Sequence, residues 1–337
     1  MKRGESGLSL VIGVDKPHGM SSHDVVNRCR RIFGERRVGH TGTLDPMATG
    51  VLPVCVGPAT RLGSYLTGHD KRYLATIAFG VGTDTDDAEG APIRTGEPPR
   101  MVLDAVFARR FLRGVEGPCK QLPPAYSAVK VGGKKSYEAA RSGHIIDLTP
   151  RDIVVHEAKL VGLREGVGEG LPEWDVVFSV SKGTYIRSLA RDIGRDVGCP
   201  AHLSALRRLA CGSLPIDECV SLEALESLGE GAALDPVQLL GYRFCFADGA
   251  LKARMVNGAA IPARSVQLFD KRRLSPGQEM CSCTTGVGES CAAPRDGELV
   301  SVVADNKLAA LYAYDGVRAE YRARCVFQTG VLRGTHI

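Results

Sequence analysis

Val38-Gly39-His40-Thr41-Gly42-Thr43-Leu44-Asp45-Pro46-Met47-Ala48-Thr49-Gly50-Val51-Leu52-Pro53 holds one carboxylate between two glycine-containing turns. Proline at 46 biases Asp45 away from the helical well toward an extended conformation, and Gly39, Gly42 and Gly50 admit backbone shapes that a Cβ would forbid. The aspartate is therefore expected on a loop. The stretch contains no second acid, no cysteine and no metal-type spacing. Asp45 can then act only as a lone anion, either a nucleophile or a base of modest strength. An isolated Asp-Pro commonly does no more than start a turn. Here the glycine density, the titratable His40 upstream and the apolar run Val51-Leu52-Pro53-Val54-Cys55-Val56, which would anchor the loop to a core, favour a chemical role.

Upstream, Ser21-Ser22-His23-Asp24 starts a helix with a serine cap and an acid three residues on. Val25, Cys29, Ile32 and Phe33 recur at helical spacing until Gly34 ends it. Arg28, Arg30, Arg31, Arg36 and Arg37 fall just before the loop; Lys130, Lys134 and Lys135 form another basic cluster, as do Arg207 and Arg208. A net charge of +5 is a weak argument for nucleic acid, since the local field matters more. Each cluster suits either a solvated surface or a polyanion.

The 337 residues suggest about two domains, and 44% hydrophobic with 24% charged residues is ordinary for a soluble globular chain. The run Leu8-Ser9-Leu10-Val11-Ile12-Gly13-Val14 is short and stops at Asp15-Lys16-Pro17 without a small-residue cleavage site, so it reads as a strand rather than a signal peptide. No apolar run approaches the ~18 residues of a spanning helix, so no membrane partner is expected and the cytoplasm is the expected location. Eleven cysteines, an odd number, point to reduced thiols. Cys281, Cys283 and Cys291 lack the preferred gap and have only the distant Cys245 and Cys325 as candidate fourth ligands, with no histidine near, and no metal site is expected.

Lys71 to Gly80 alternates as a strand, with Tyr73, Ala75, Ile77 and Phe79 on one face. Gly82 to Gly90 is an acidic turn that fails the calcium-loop pattern. Val102 to Arg113 reads as an amphipathic helix closed by Gly114, burying Leu103, Val106, Phe107 and Phe111. Gln121 to Gly133 is a loop and Lys135 to Arg141 a short helix; Tyr126, Lys130, Lys134, Lys135 and Tyr137 suit a groove that tracks phosphates while offering aromatic surface. Strands are expected at 152–161 and 173–180. From Tyr185 the period turns helical, with Ile186, Leu189, Ala190, Ile193 and Val197 on one face and Arg187 off it. An arginine at a helix start is mildly unfavourable with the macrodipole, which favours a specific partner over solvation. His202 reads as a satisfied structural histidine. Leu222 to Leu228 is a short helix, strand-like runs follow at 298–304, 308–314 and 324–327, and residues 270–295 look like an irregular insertion.

His40-Thr41-Gly42-Thr43-Leu44-Asp45-Pro46-Met47-Ala48-Thr49-Gly50 resembles the signature loop of the TruB family of tRNA pseudouridine synthases. Gly13-Val14-Asp15-Lys16-Pro17-His18-Gly19-Met20-Ser21-Ser22, Lys71-Arg72-Tyr73, Gln121 to Arg141, Ser181 to Gly194 and Ala201 to Leu209 resemble further elements of that family. The likeness spans roughly residues 10 to 215 and thins beyond Asp217.

The resemblance implies an α+β catalytic fold with a largely antiparallel sheet over residues 1–245, carrying an RNA-binding flap at about 118–150. A small β-rich, PUA-like RNA-binding domain over 246–337 completes it. It implies a cofactor-free isomerase, acting as a monomer on the T-arm stem-loop of tRNA, that turns uridine at position 55 into pseudouridine. Asp45 is then the catalytic aspartate, Arg187 its partner, and Tyr73 the ring that stacks on a flipped base. His40, Tyr185, Leu206 and Lys16 fall in the substrate site, and Arg207, Arg208 and Lys130 meet phosphate. A guanidinium holds a carboxylate through a fixed fork, with an attraction on the order of 4 kcal/mol at ~4 Å and effective dielectric ~20. A competing reading is an RNA-binding tRNA folding chaperone with no required catalysis.

Overall fold

The computed structural model describes residues 6–126, 130–131, 134–135, 148–166, 170–270 and 292–335. Its strands are β1 (Leu10–Lys16), β2 (Val38–His40), β3 (Thr49–Val56), β4 (Lys71–Phe79), β5 (Val81–Thr83), β6 (Pro92–Thr95), β7 (Gly117–Gln121), β8 (Lys130–Val131) and β9 (Lys134–Lys135). There follow β10 (Arg151–Arg164), β11 (Glu173–Val180), β12 (Ala201–Cys211), β13 (Leu214–Pro215), β14 (Arg243–Phe246), β15 (Ile261–Pro262), β16 (Leu299–Ala304), β17 (Lys307–Asp315) and β18 (Glu320–Leu332). Two units alternate along the sequence: one takes Met1–Pro46, Gly50–Gly68 and Gly212–Ile337, the other Met47–Thr49 and His69–Cys211. This is a mixed helix and sheet fold with a C-terminal sheet domain. No helix among the described residues is long and apolar enough to cross a membrane.

In the first unit β1 runs antiparallel to β3, with Leu10 opposite Val56 and Lys16 opposite Gly50, and β2 also pairs with β3. The helix Ser22–Phe33 forms where the caps expect it. Ser21 Oγ accepts from the Asp24 N–H, the Asp24 carboxylate accepts from the Ser21 N–H, and Gly34 closes the far end at φ 59°. Its buried face, Val25, Val26, Cys29 and Phe33, packs on Leu10, Ile12, Val14, Leu52 and Val54. Ser21→Ala removes one half of that cap and is expected to cost about 1 kcal/mol, read as a lower urea midpoint at unchanged slope.

The C-terminal sheet has the order β14-β16-β17-β18-β15, with β14 parallel to β16 and the other pairs antiparallel. Its core gathers Cys245, Met255, Val300, Val302, Ala310, Tyr312 and Tyr321. The Tyr312 hydroxyl lies 2.8 Å from the Met255 carbonyl and 3.1 Å from that of Ala259, and burial pushes its pKa up to about 12. Past β18, Arg333 and Asp235 form an ion pair with neither side chain exposed. Arg333 Nε and Nη2 donate to Asp235 Oδ2 at 2.9 and 2.6 Å, and Nη1 donates to Asn306 Oδ1 at 2.7 Å. Asp235 Oδ1 meanwhile caps the short helix Pro236–Leu240 by accepting from the Val237 N–H at 2.9 Å.

The second unit is an antiparallel sheet in the order β12-β4-β11-β10-β7. The alternation expected in β4 holds: Tyr73, Ala75, Ile77 and Phe79 are buried, whereas Arg72 is exposed and Leu74 and Thr76 are half-buried. Phe79 and Phe111 meet Trp174 edge-on, and Trp174 Nε1 donates to the Val102 carbonyl at 2.7 Å. The helix expected from Val102 begins instead at Ala105, because Asp104 caps it by accepting from the Val106 N–H. That start turns Val106 and Leu103 outward, at 73% and 40% exposure, and buries Ala108 and Leu112 with Phe107 and Phe111 partly covered. The helix expected over Lys135 to Arg141 lies almost wholly outside the described residues; Lys135 itself belongs to β9, opposite Lys130. The insertion with Cys281, Cys283 and Cys291 also lies outside them.

Candidate active site

Asp45 sits half-buried on a loop between β2 and β3, as its proline and glycines require. The residue before it, Leu44, is buried and belongs to no strand or helix. Its N–H donates to Ser22 Oγ at 2.8 Å and its carbonyl accepts from the same hydroxyl at 2.9 Å. The residue after it, Pro46, offers its carbonyl to the Gly19 N–H at 2.9 Å and to Lys16 Nζ at 3.2 Å. Lys16 is fully buried, and its ammonium also donates to the carbonyls of Pro17 at 2.9 Å and Met20 at 2.5 Å. An ammonium has three protons to give. Lys16, expected in the substrate site, therefore fastens the turn 17–20 to the backbone beside Asp45. His40 is the last residue of β2, half-buried and paired in register with Val54.

In the second unit Tyr185 is the N-cap of the helix Ile186–Val197, with a reciprocal clamp of its own. Gln121 Nε2 donates to the Tyr185 carbonyl at 3.0 Å and Gln121 Oε1 accepts from the Tyr185 N–H at 2.8 Å. Arg187 is buried rather than solvated, as the helix-start argument favoured. Its Nη1 donates to the Thr85 carbonyl at 3.0 Å and lies 3.3 Å from Asp87 Oδ2, while Nη2 donates to the Tyr126 carbonyl at 3.0 Å. One turn along, Arg191 Nη1 meets Asp86 Oδ2 at 2.8 Å. Burial raises the Asp86 pKa, and the Arg191 charge opposes the rise. The acidic turn thus holds two arginines of one helix. Asp87 is itself fixed by Thr85 Oγ1 at 2.6 Å and the Glu89 N–H at 3.1 Å.

Register places Leu206 opposite Ala75 and Arg208 opposite Tyr73, so Tyr73 and Leu206 share one face of adjacent strands. Arg207, opposite Leu74, takes the other face, where it donates to Thr49 Oγ1 at 3.3 Å. Arg208 is 1% exposed, so the expectation that both arginines meet phosphate fails: neighbours on a strand point to opposite faces. His202 is structural, its Nδ1 2.8 Å from the Val81 carbonyl. Of Lys130 only the strand position is described. Ser22, Gln121 and Asp87 escaped the sequence reading. The matching pairs Asp86-Asp87 and Arg187/Arg191, four apart on a helix, were the available signal for the last of them.

Two solved assemblies share this architecture. One is an H/ACA RNP bound to a substrate RNA containing 2'-deoxyuridine, at TM-score 0.64 and 21% identity, covering 94% of this chain and 84% of that one. The other is a Cbf5-Nop10-Gar1 complex, at TM-score 0.63 and 23% identity over 96% of this chain and 84% of that one. At such identities the likeness establishes the fold. The family model for the TruB family pseudouridylate synthase N-terminal domain matches residues 30–186, and that for the tRNA pseudouridylate synthase B C-terminal domain matches residues 187–237. A tRNA pseudouridine synthase B of Deinococcus radiodurans is 38% identical over 307 residues, 83% of this chain and 96% of the relative. One from Mycobacteroides abscessus is 46% identical over 229 residues, 68% of this chain and 74% of its own. The chain belongs to the TruB family of pseudouridylate synthases.

Proposed function

We propose that this protein isomerises uridine to pseudouridine in tRNA, at the T-loop uridine of position 55, as a cytoplasmic monomer that grips the T-arm. The observation that carries the reading is family membership together with a lone aspartate whose neighbours on both sides are fastened through their backbone. The bond from ribose C1′ to uracil N1 breaks, the base turns, and C1′ joins C5, whose proton leaves while N1 gains one. Atoms and mass are conserved, and no cofactor is needed.

Asp45 is the reacting carboxylate, attacking the ring or assisting departure of the base from the sugar. Arg187 orients and keeps charged that carboxylate, and Asp87 steadies the guanidinium. Tyr73 stacks on the flipped base beside the apolar wall of Leu206, with Tyr185 in the pocket and His40 at the space the base vacates. Arg207 and Lys130 meet phosphate. Asp87→Asn is expected to lower kcat about tenfold or more by loosening Arg187, with RNA affinity nearly unchanged.

A T-arm stem-loop transcript labelled with tritium at uracil C5 tests the reading. Release of tritium from the labelled strand, together with an intact unlabelled strand of unchanged mass and one altered nucleoside, supports it. Binding without release would mark an RNA chaperone, and strand scission would exclude isomerisation.

A further inference from the structure

We propose that Ser22 is a positioning residue for Asp45: its hydroxyl fixes both hydrogen-bonding groups of Leu44 and thereby sets the direction in which the next side chain leaves the backbone. The inference rests on Asp45 being the reacting carboxylate. Leu44 lies in no ladder or helix, so its N–H and carbonyl must find partners elsewhere. Both find the same atom, Ser22 Oγ, which accepts at 2.8 Å and donates at 2.9 Å across 22 residues of sequence. Ser22 is 2% exposed, so water does not compete for either bond.

Division of labour between adjacent serines sharpens the point. Ser21 caps the helix, its hydroxyl engaged with the Asp24 N–H and carboxylate. Ser22, the first residue of the helix, has no capping duty, and its hydroxyl is directed entirely at the loop. A hydroxyl can give and take at one atom; a methyl does neither, and a thiol does both weakly. Lys16 and Gly19 fasten Pro46 on the other side, and Ser22 supplies the fastening on the Leu44 side. Displacement of a reacting group by about 1 Å can lower a rate by on the order of 100-fold.

The test measures kcat and KM on the tritiated stem-loop for Ser22→Ala, Ser22→Cys, Ser22→Thr and Ser21→Ala, with thermal melting of each. Ser22→Ala is expected to lose roughly 10–100-fold in kcat with KM within about threefold of wild type. Ser22→Cys, which keeps the shape and weakens the bonds, is expected to follow it and answers the question should Ser22→Ala not fold. Ser22→Thr restores a hydroxyl and is expected to recover most of kcat. Ser21→Ala loosens the same helix start and is expected to leave kcat near wild type. The proposal is overturned by full kcat in Ser22→Ala or Ser22→Cys, by equal losses in Ser21→Ala and Ser22→Ala, or by a folded Ser22→Thr as slow as Ser22→Ala. A wild-type protein that releases no tritium defeats the functional reading itself, and the positioning role with it.

Discussion

Asp45→Asn is expected to leave less than a thousandth of wild-type turnover while the protein still retains tRNA on a filter. The substitution keeps the side chain's shape and removes the anionic oxygen, so a chemical role and a structural role separate cleanly. The fastenings described above go to the main chain of Leu44 and Pro46, which asparagine at 45 leaves in place. Loss of the anionic carboxylate then accounts for the expected effect, and a thousandfold corresponds to about 4 kcal/mol of barrier. Residual turnover above that level would mean that another group reacts.

Asp235→Ala is expected to destabilise the protein by about 3–5 kcal/mol, because it strands the Arg333 guanidinium where neither partner of the pair meets solvent. The same change removes the cap of the helix Pro236–Leu240, adding to the loss. Urea denaturation should show the midpoint falling at nearly unchanged slope. Replacing both partners by apolar residues of similar volume, Asp235→Leu with Arg333→Met, should hurt less than the single change, since no charge is left buried alone. A single variant within about 1 kcal/mol of wild type would show that water reaches the arginine.

Much of this was legible before any coordinates. Ser21, Asp24 and Gly34 bracket a helix because capping is local chemistry, written within a few residues of the ends it closes. The period of β4 was equally plain, since each alternate residue reports its own face. The helix after Asp104 was misphased for a related reason: an apolar period continues smoothly backward through Val102 and Leu103, and only the cap decides where winding begins. Arg207 and Arg208 looked like one patch because a run of charge conceals strand alternation, and only one of them stays away from the core face.

The candidate site divides along the same line. Asp45 and Arg187 were marked by their charge and position, whereas Tyr73 and Tyr185 entered through the resemblance to the family. Ser22, Gln121 and Asp87 are ordinary residues made relevant by distant partners: Ser22 bonds across 22 positions, Gln121 across 64, and Asp87 faces an arginine on a remote helix. Nothing within a short window marks them. Pairing β14 in parallel with β16 was hidden likewise, because a parallel neighbour needs a long crossover and leaves no hairpin signal.

The way Leu44 and Pro46 are tethered has a bearing on engineering and on descent. Residues 40–50 are not a portable cassette: a foreign scaffold receiving them without residues 16–22 would inherit the letters and lose the posture. Natural variation should be constrained in the same way, with an insertion in the turn between Lys16 and Ser22 felt at residue 45 as sharply as one beside it. The posture of residue 45 is thus written in two stretches at once, 16–22 and 40–50, and neither sets it alone.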